Sequence, residues 1–210
     1  MAATTRTVGI GMDYSPSSKA AARWAADHLL KDGDRVVLVH VLSKGADASH
    51  KELWKNTGSP LIPLSEFMEM NAQARYGVNP DKEVLEILQA EAKSKKVEVL
   101  AKIYWGDARE KLCEAVDDLK VDTFVLGCRG LGPLKRALLG SVSNYVVNNA
   151  TCPVTVVAIK IEILSSHCRR TTMVALNTTN GDNAIRTLRH GIRHQKLQLP
   201  DLVPAQLHAG

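Results

Sequence analysis

The sequence lacks the features of a secreted or membrane-anchored protein. Its four cysteines form no CxxC pair, and residues 1–6 do not begin the apolar segment of a signal peptide. No run approaches the roughly 18 apolar residues that span a bilayer, and Met1-Ala2 excludes the N-terminal glycine of a myristoylation signal. We therefore expect a soluble protein of a reducing compartment, the cytoplasm, with the nucleus open as a second location.

The chain also has little excess charge in its first 160 residues. The net charge of +5 divides into +2 from residues 1–160 (21 Lys and Arg against 19 Asp and Glu) and +3 from residues 161–210 (6 against 3). A domain at +2 does not indicate nucleic-acid binding. The basic excess belongs mostly to the C-terminal region.

Strand-like and helix-like segments alternate through most of the chain. Apolar, β-branched segments predict strands at residues 7–12, 34–42, 97–104, 121–126 and 152–159. Helical spacing and capping residues predict helices beginning near Ser15, Asp81, Gly106 and Ser141. The fold class predicted is α/β, with a five-stranded parallel open sheet that is doubly wound.

Residues 161–210 lose this alternation and carry four of the seven histidines. We expect a domain at 1–160 and a basic C-terminal extension at 161–210 that is flexible or partly helical, with residues 182–199 as the helical candidate. The alternation in residues 159–163 could instead lengthen the fifth strand and interfere with pairing at its edge.

A glycine pattern follows the fourth predicted strand. It reads G-x2-G-x9-G-S, with Gly127, Gly130, Gly140 and Ser141 in the defined positions. Glycines allow backbone NH groups to approach a ligand closely, and a helix N-terminus carries about half a positive charge. The pattern suits an anion such as phosphate, although a connection that binds nothing would use the same glycines.

A second segment converges on this loop. Ligands of open α/β sheets bind beyond the carboxyl ends of the strands, where the strand order reverses. Asp13 ends the first predicted strand, so we expect it close to Gly127 and Gly130. Capping of the first helix through Ser15 is a second role for Asp13, compatible with the first.

Several better-known sites are excluded. The loop continues Pro133-Leu134 where a Walker A motif needs Lys and Ser or Thr, and Tyr14 stands where a dinucleotide fingerprint needs its last glycine. His28 and His40 have no triad partners suggested nearby. Cys168 and the H-x3-H pair at His190 do not match zinc spacings, so no metal site is predicted.

The remaining pattern resembles the universal stress protein family. The resemblance is carried by Asp13, the strand end His40-Val41, the G-x2-G-x9-G-S spacing and the segment Cys152-Pro153-Val154, and it covers residues 5–160. It is nearest to the plant, ATP-binding members. It implies a flavodoxin-like fold, binding of ATP with or without Mg²⁺, and a homodimer formed through the strand Val154–Ile159.

The resemblance also implies which residues contact the nucleotide. Asp13 is expected at the adenosine end and the Val41 backbone beside the adenine. Ribose and phosphates are expected among residues of the glycine loop: Gly127, Arg129, Gly130, Gly140, Ser141, Val142 and Ser143. Cys128 stands where the family often has serine, and we interpret it as a buried, inert cysteine more readily than as a redox-sensitive thiol.

The function expected is that of an ATP-binding module in stress-response signalling or protection, with protein clients as partners. Two alternatives stay open. One is a slow ATPase or an autophosphorylating enzyme that modifies Ser141 or Ser143, and the other is a nucleotide-independent dimeric scaffold or chaperone. We place no residue in a catalytic role, because no general base or set of metal-binding carboxylates is evident.

Overall fold

The computed structural model describes residues 5–43, 54, 56–69, 76–128, 140–164, 167–177 and 186–190, and beyond residue 158 only the backbone. Five of its strands pair in parallel in the order β4-β2-β1-β5-β6. They are β1 (Thr7–Gly11), β2 (Arg35–Leu42), β4 (Glu98–Trp105), β5 (Thr123–Cys128) and β6 (Val154–Leu164). The five-stranded parallel open sheet predicted from the sequence is confirmed.

Antiparallel strands extend this sheet at both ends, giving eight described strands. On one side, β3 (Ile62–Pro63) pairs with β4. On the other side, β7 (His167–Asn177) pairs with β6, and β8 (Arg186–His190) pairs with β7. The sheet is therefore mostly parallel, with its parallel strands in the centre.

Helices cover both faces of the sheet, as a doubly wound fold requires. The described helices are α1 (Pro16–His28), α2 (Leu64–Phe67), α3 (Lys82–Ser94), α4 (Ala108–Asp118) and α5 (Ser141–Asn149). Buried residues of α1 and α3 share one apolar cluster with the sheet, and those of α4 and α5 share a second. The strands between these clusters are covered on both sides, and all five residues of β1 are buried. This explains why their sequences are apolar at nearly every position.

The C-terminal region differs from the expectation. Within the predicted helix at 182–199, residues 186–190 form a strand, and the remainder of that helix lies outside the described residues. The long β7 offers an open backbone edge, and pairing from Leu176 with Arg186 to Thr172 with His190 satisfies it. Tertiary pairing of this kind overrides a local helical period. The domain boundary at residue 160 stays a prediction.

The predicted dimer contact also meets a different environment. The strand expected to pair with a second copy, Val154–Ile159, lies within β6, which continues to Leu164. It pairs with β5 on one side and with β7 on the other, from Val154 with Asn177 to Leu164 with His167. In this arrangement, described strands of the same chain fill both edges of β6 from Val154 to Ala158, and β7 continues along one edge to Leu164. A second copy could pair there only after displacing β7, and the homodimer stays a prediction.

Candidate functional site

A cavity of about 420 Å³ lies beyond the carboxyl ends of β1, β2 and β5. This position follows from the strand order, which reverses between β1 and β5. The volume is within the range of small-molecule sites, roughly 300–1,000 Å³. The described lining residues come from six elements and the turns beside them: Gly11, Met12, Asp13, Ser17, Ser18, Val39, Val41, Ala108, Leu112, Leu126, Gly127, Cys128, Gly140, Ser141, Val142 and Ser143.

Asp13 supplies the one carboxylate among these lining residues. The next residue, Tyr14, has φ of 59°, which reverses the chain between β1 and α1. The Asp13 carboxylate then accepts hydrogen bonds from the Ser15 NH at 3.0 Å and the Ser15 hydroxyl at 2.6 Å. Burial would raise the Asp13 pKa, but these bonds and the Ser18 hydroxyl outweigh it, and the pKa lies below its usual value. Asp13 is therefore ionised at neutral pH.

The α5 N-terminus borders the cavity, and none of the described side chains caps it. In contrast, α1, α3 and α4 are capped by Ser15, Asp81 and Asp107, whose side chains each accept from a first-turn backbone NH. The N-cap residue of α5 is Gly140, which has no side chain for this purpose, and the Ser143 hydroxyl donates to the Gly140 carbonyl at 3.1 Å. No acceptor among the described residues is assigned to the first NH groups of α5, which are therefore candidate donors to a ligand.

Gly127 has a packing role that the motif does not reveal. A Cβ added at this residue would lie 2.4 Å from the carbonyl carbon and oxygen of Ser17 and 2.5 Å from the Ser18 nitrogen. All three are backbone atoms in the first turn of α1. Gly127 is therefore required for α1 to approach β5, which brings Asp13 and the α1 N-terminus to the cavity.

Apolar side chains also line the cavity. Val39 and Val41 both line the cavity, and the intervening His40 does not. The His40 Nδ1 is 2.7 Å from the Met12 carbonyl oxygen, so Nδ1 carries the hydrogen and donates it. Burial lowers the pKa of His40, which keeps it neutral at pH 7. His40 thus ties β2 to the end of β1, on the other side of β2 from the cavity.

Cys128 is a further lining residue and is only 6% exposed. Burial raises the pKa of its thiol above the ordinary value. A protonated thiol is a poor nucleophile and reacts slowly with oxidants. This supports the interpretation of Cys128 as an inert wall residue.

Seven of the nine residues predicted to contact a nucleotide line this one cavity: Asp13, Val41, Gly127, Gly140, Ser141, Val142 and Ser143. Arg129 and Gly130 lie outside the described residues, so their place is not established. Sequence reasoning missed Ser17 and Ser18, which line the cavity at 8% and 4% exposure. Their position in the first turn after strand one was the available signal, because every such turn faces the carboxyl edge of the sheet.

None of the described helices is both long enough and apolar enough to cross a membrane. Among the residues whose positions are described, no three His, Cys, Asp or Glu side chains form a group that could hold a metal ion.

Comparison with known proteins places this architecture in a family. The family model described as "Universal stress protein family" matches residues 4–158. Universal stress protein PHOS32 of Arabidopsis thaliana is 32% identical over 173 residues, which cover 74% of this chain and 66% of that protein. Universal stress protein PHOS34 of the same plant is 34% identical over 172 residues, which cover 74% of this chain and 63% of that protein.

These two plant relatives are thus matched over slightly less than two thirds of their length. A solved structure of a universal stress protein family protein from Arabidopsis thaliana, with AMP bound, has a TM-score of 0.45. It is 23% identical and covers 73% of this chain and 91% of that one. The family model alone accounts for well over half of the sequence, including every predicted site residue. The chain belongs to the universal stress protein family.

Proposed function

We propose that this protein binds an adenine nucleotide, ATP in the cell, in the cavity between β1, β5 and α5. The observation that carries the proposal is the polar lining of the cavity: a helix N-terminus that no described side chain caps, together with an ionised carboxylate. A nucleotide has the matching polarity, with a phosphate that accepts hydrogen bonds and a nucleoside that donates them.

The phosphate end is formed by the first turn of α5. Its uncapped NH groups and the exposed Ser141 side chain lie together at the cavity. Each hydrogen bond to a charged phosphate contributes about 1.5–3 kcal/mol, and the helix N-terminus adds about 0.3–1 kcal/mol. These contributions favour binding of an anionic phosphate at the first turn of α5.

The nucleoside end combines Asp13 with the apolar wall. The Asp13 carboxylate accepts hydrogen bonds only, so it suits the ribose hydroxyls or the adenine amine. Val39, Val41 and Leu126 supply apolar surface of the kind that purine rings bury. Family membership supports the same orientation, since Asp13 and Val41 occupy the positions that the family resemblance assigns to adenosine.

The described residues suit binding better than hydrolysis. Asp13 is the one carboxylate of the described lining, and its hydrogen bonds from Ser15 already occupy part of its accepting capacity. Mg²⁺ keeps several waters and is held by one or two carboxylates with substrate phosphates, so these residues offer a single ligand. Of the two serines considered as phosphate acceptors, Ser143 is 3% exposed and hydrogen-bonded to Gly140.

In the cell, we propose a stress-response module of the cytoplasm whose nucleotide state changes its contacts with protein partners. Homodimerisation belongs to the same proposal, and it requires either displacement of β7 or a different surface.

Calorimetric titration of Ser141→Asp with ATP tests the proposed site. A carboxylate at the first position of α5 favours the helix by about 0.3–1 kcal/mol, so the fold is retained, but it repels phosphate. We expect ATP affinity to fall more than tenfold. Ser141→Asn is the matched control, since it has nearly the same shape without the charge, and we expect its affinity within about threefold of the wild type.

Adenosine, which lacks phosphate, should bind Ser141→Asp and the wild-type chain equally. Absence of ATP binding to folded wild-type protein would reject the proposed function. Equal ATP affinity of Ser141→Asp and Ser141→Asn would place the phosphate elsewhere.

A further inference from the structure

The inference concerns Ser17, a residue outside the positions that the family resemblance assigns to the nucleotide, and it rests on the proposed function. We propose that Ser17 is a specificity-determining residue of the nucleotide site. Its hydroxyl oxygen acts only as a hydrogen-bond acceptor toward the ligand and recognises a donor group on the nucleoside. The inference follows from where each hydroxyl hydrogen goes at the start of α1.

The first hydrogen is that of Ser15. Its hydroxyl lies 2.6 Å from the Asp13 Oδ1, within the range of a strong bond from a hydroxyl to an ionised carboxylate. The Ser18 hydroxyl oxygen is a second acceptor for this hydrogen, but at 3.4 Å it is much farther away than the Asp13 Oδ1. A serine hydroxyl has one hydrogen, so once it is donated to Asp13 the Ser15 oxygen can only accept. It accepts from the Ser18 NH at 3.4 Å, which is the capping bond of α1.

The second hydrogen is that of Ser17. The Ser17 and Ser15 hydroxyl oxygens are 3.0 Å apart, and geometry alone allows either to donate. Because the Ser15 hydrogen is held by Asp13, Ser17 must be the donor. Ser18 does not compete for this position, because its hydroxyl hydrogen has other acceptors, the Ser15 carbonyl at 3.1 Å and the Asp13 carboxylate.

Because the Ser17 hydroxyl donates its hydrogen to Ser15, the Ser17 oxygen can only accept a hydrogen bond from a ligand. Ser17 lines the cavity and is 8% exposed, so water reaches it little once a ligand is bound. Ser17 and Asp13 together line the cavity with hydrogen-bond acceptors beside the N-terminus of α1. The α5 end, in contrast, offers backbone donors.

Hydrogen-bond acceptors that line a site favour a ligand with hydrogen-bond donors. In an adenine nucleotide the donors of the nucleoside are the two ribose hydroxyls and the 6-amino group of the base. A nucleotide without the matching donor leaves buried acceptors unpaired, which a hydrogen-bonding site rejects more strongly than it rejects a small change of size. The shared chemistry is a hydrogen-bond donor, and the three groups are separated by experiment.

Full-length wild-type chain, Ser17→Ala and Ser17→Cys are titrated with four ligands. The ligands are ATP, its 2′-deoxy and 3′-deoxy forms, and purine riboside triphosphate, which lacks the 6-amino group. For the wild type we expect ATP to bind about five- to tenfold more tightly than one of the three analogues. In Ser17→Ala, the affinity for ATP should fall by the same factor while the affinity for that analogue is unchanged, so the preference for ATP disappears.

Which analogue behaves in this way identifies the group that Ser17 reads. Ser17→Cys keeps a small polarizable side chain but is a weak acceptor, so it should lose the preference with its packing retained. The control is Ser94→Ala, at the exposed end of α3, which should keep both ATP affinity and preference.

The outcomes separate the two proposals. Failure of the wild-type chain to bind ATP rejects the proposed function, and this inference with it. Tight ATP binding that both Ser17 variants retain, with all three ligand ratios unchanged, overturns the role of Ser17 and leaves the proposed function standing.

Discussion

Substitution by alanine is expected to destabilise the protein strongly at one glycine of the motif, Gly127, and only slightly at another, Gly140. At Gly127 the added Cβ would lie 2.4 Å from backbone atoms of Ser17, which cannot rotate away as a side chain could. At Gly140 the nearest atom of the described residues to an added Cβ is the Ser143 Oγ, at 3.6 Å, an ordinary contact. Gly127→Ala therefore forces α1 to move relative to β5, and Gly140→Ala does not.

The size of the effect follows from this difference. Overpacking costs about 1–3 kcal/mol, and the rigid neighbours of Gly127 place it at the upper end, about 3 kcal/mol. In a domain of this size 1 kcal/mol shifts Tm by about 2–4 °C, so Gly127→Ala should melt about 6–12 °C lower. Gly140→Ala changes only an N-cap residue and should cost at most about 1 kcal/mol.

Thermal unfolding followed by circular dichroism, with urea unfolding as a second measure, compares the two variants. Gly127→Ala should also bind ATP more weakly, because the shift of α1 displaces Asp13 and Ser17. Equal melting temperatures for Gly127→Ala and Gly140→Ala would refute the packing role of Gly127. The motif would then be explained by ligand contact alone.

Two further predictions concern buried polar groups. Asp34→Asn should lose about 2 kcal/mol at pH 7, since Asp34 is 5% exposed and accepts from the Arg6 guanidinium, and hydrogen bonds to charged groups contribute about 1.5–3 kcal/mol. Burial raises the Asp34 pKa, but the hydrogen bonds from Arg6 and the Lys31 NH lower it by more, so the pKa in the folded protein lies below its usual value. The stabilisation is therefore present above about pH 4 and is lost as the pH falls through the pKa of the folded protein. Urea unfolding should show the variant and wild type converging in acid, and a constant difference down to pH 2 would contradict it. Cys128 should resist alkylation in folded protein at pH 7, as measured by peptide mass mapping, and rapid labelling without unfolding would contradict its burial.

Most of the fold could be predicted because its signals are local. The apolar segment at 34–42 indicated a strand buried on both faces, and Ser15 before Pro16 indicated a helix start, as the structure confirms for β2 and α1. The position of the cavity could also be predicted from the alternation of strands and helices, because open α/β sheets generally bind ligands beyond the carboxyl ends of the strands, where the strand order reverses. These inferences needed no knowledge of distant contacts.

The C-terminal region was harder to predict because its signal is not local. Residues 186–190 lie within the segment 182–199 predicted to be helical, yet they pair with β7. A strand at an open edge forms wherever a backbone partner is available, and the local pattern does not reveal that partner. The partner strand β7 in turn fills the edge of β6 that the family resemblance assigns to a dimer.

The sequence by itself determined the family, the parallel sheet and the glycine motif beside Asp13, since each depends on residue types at short spacing. The tertiary structure alone decided the roles of Gly127 and Ser17. Gly127 faces the α1 backbone, and Ser17 receives its orientation from a chain of hydroxyl hydrogens that ends at Asp13. The role of Gly127 depends on how closely α1 and β5 approach each other, and the role of Ser17 depends on the cavity that distant segments form beside it; both are properties of the packed sheet.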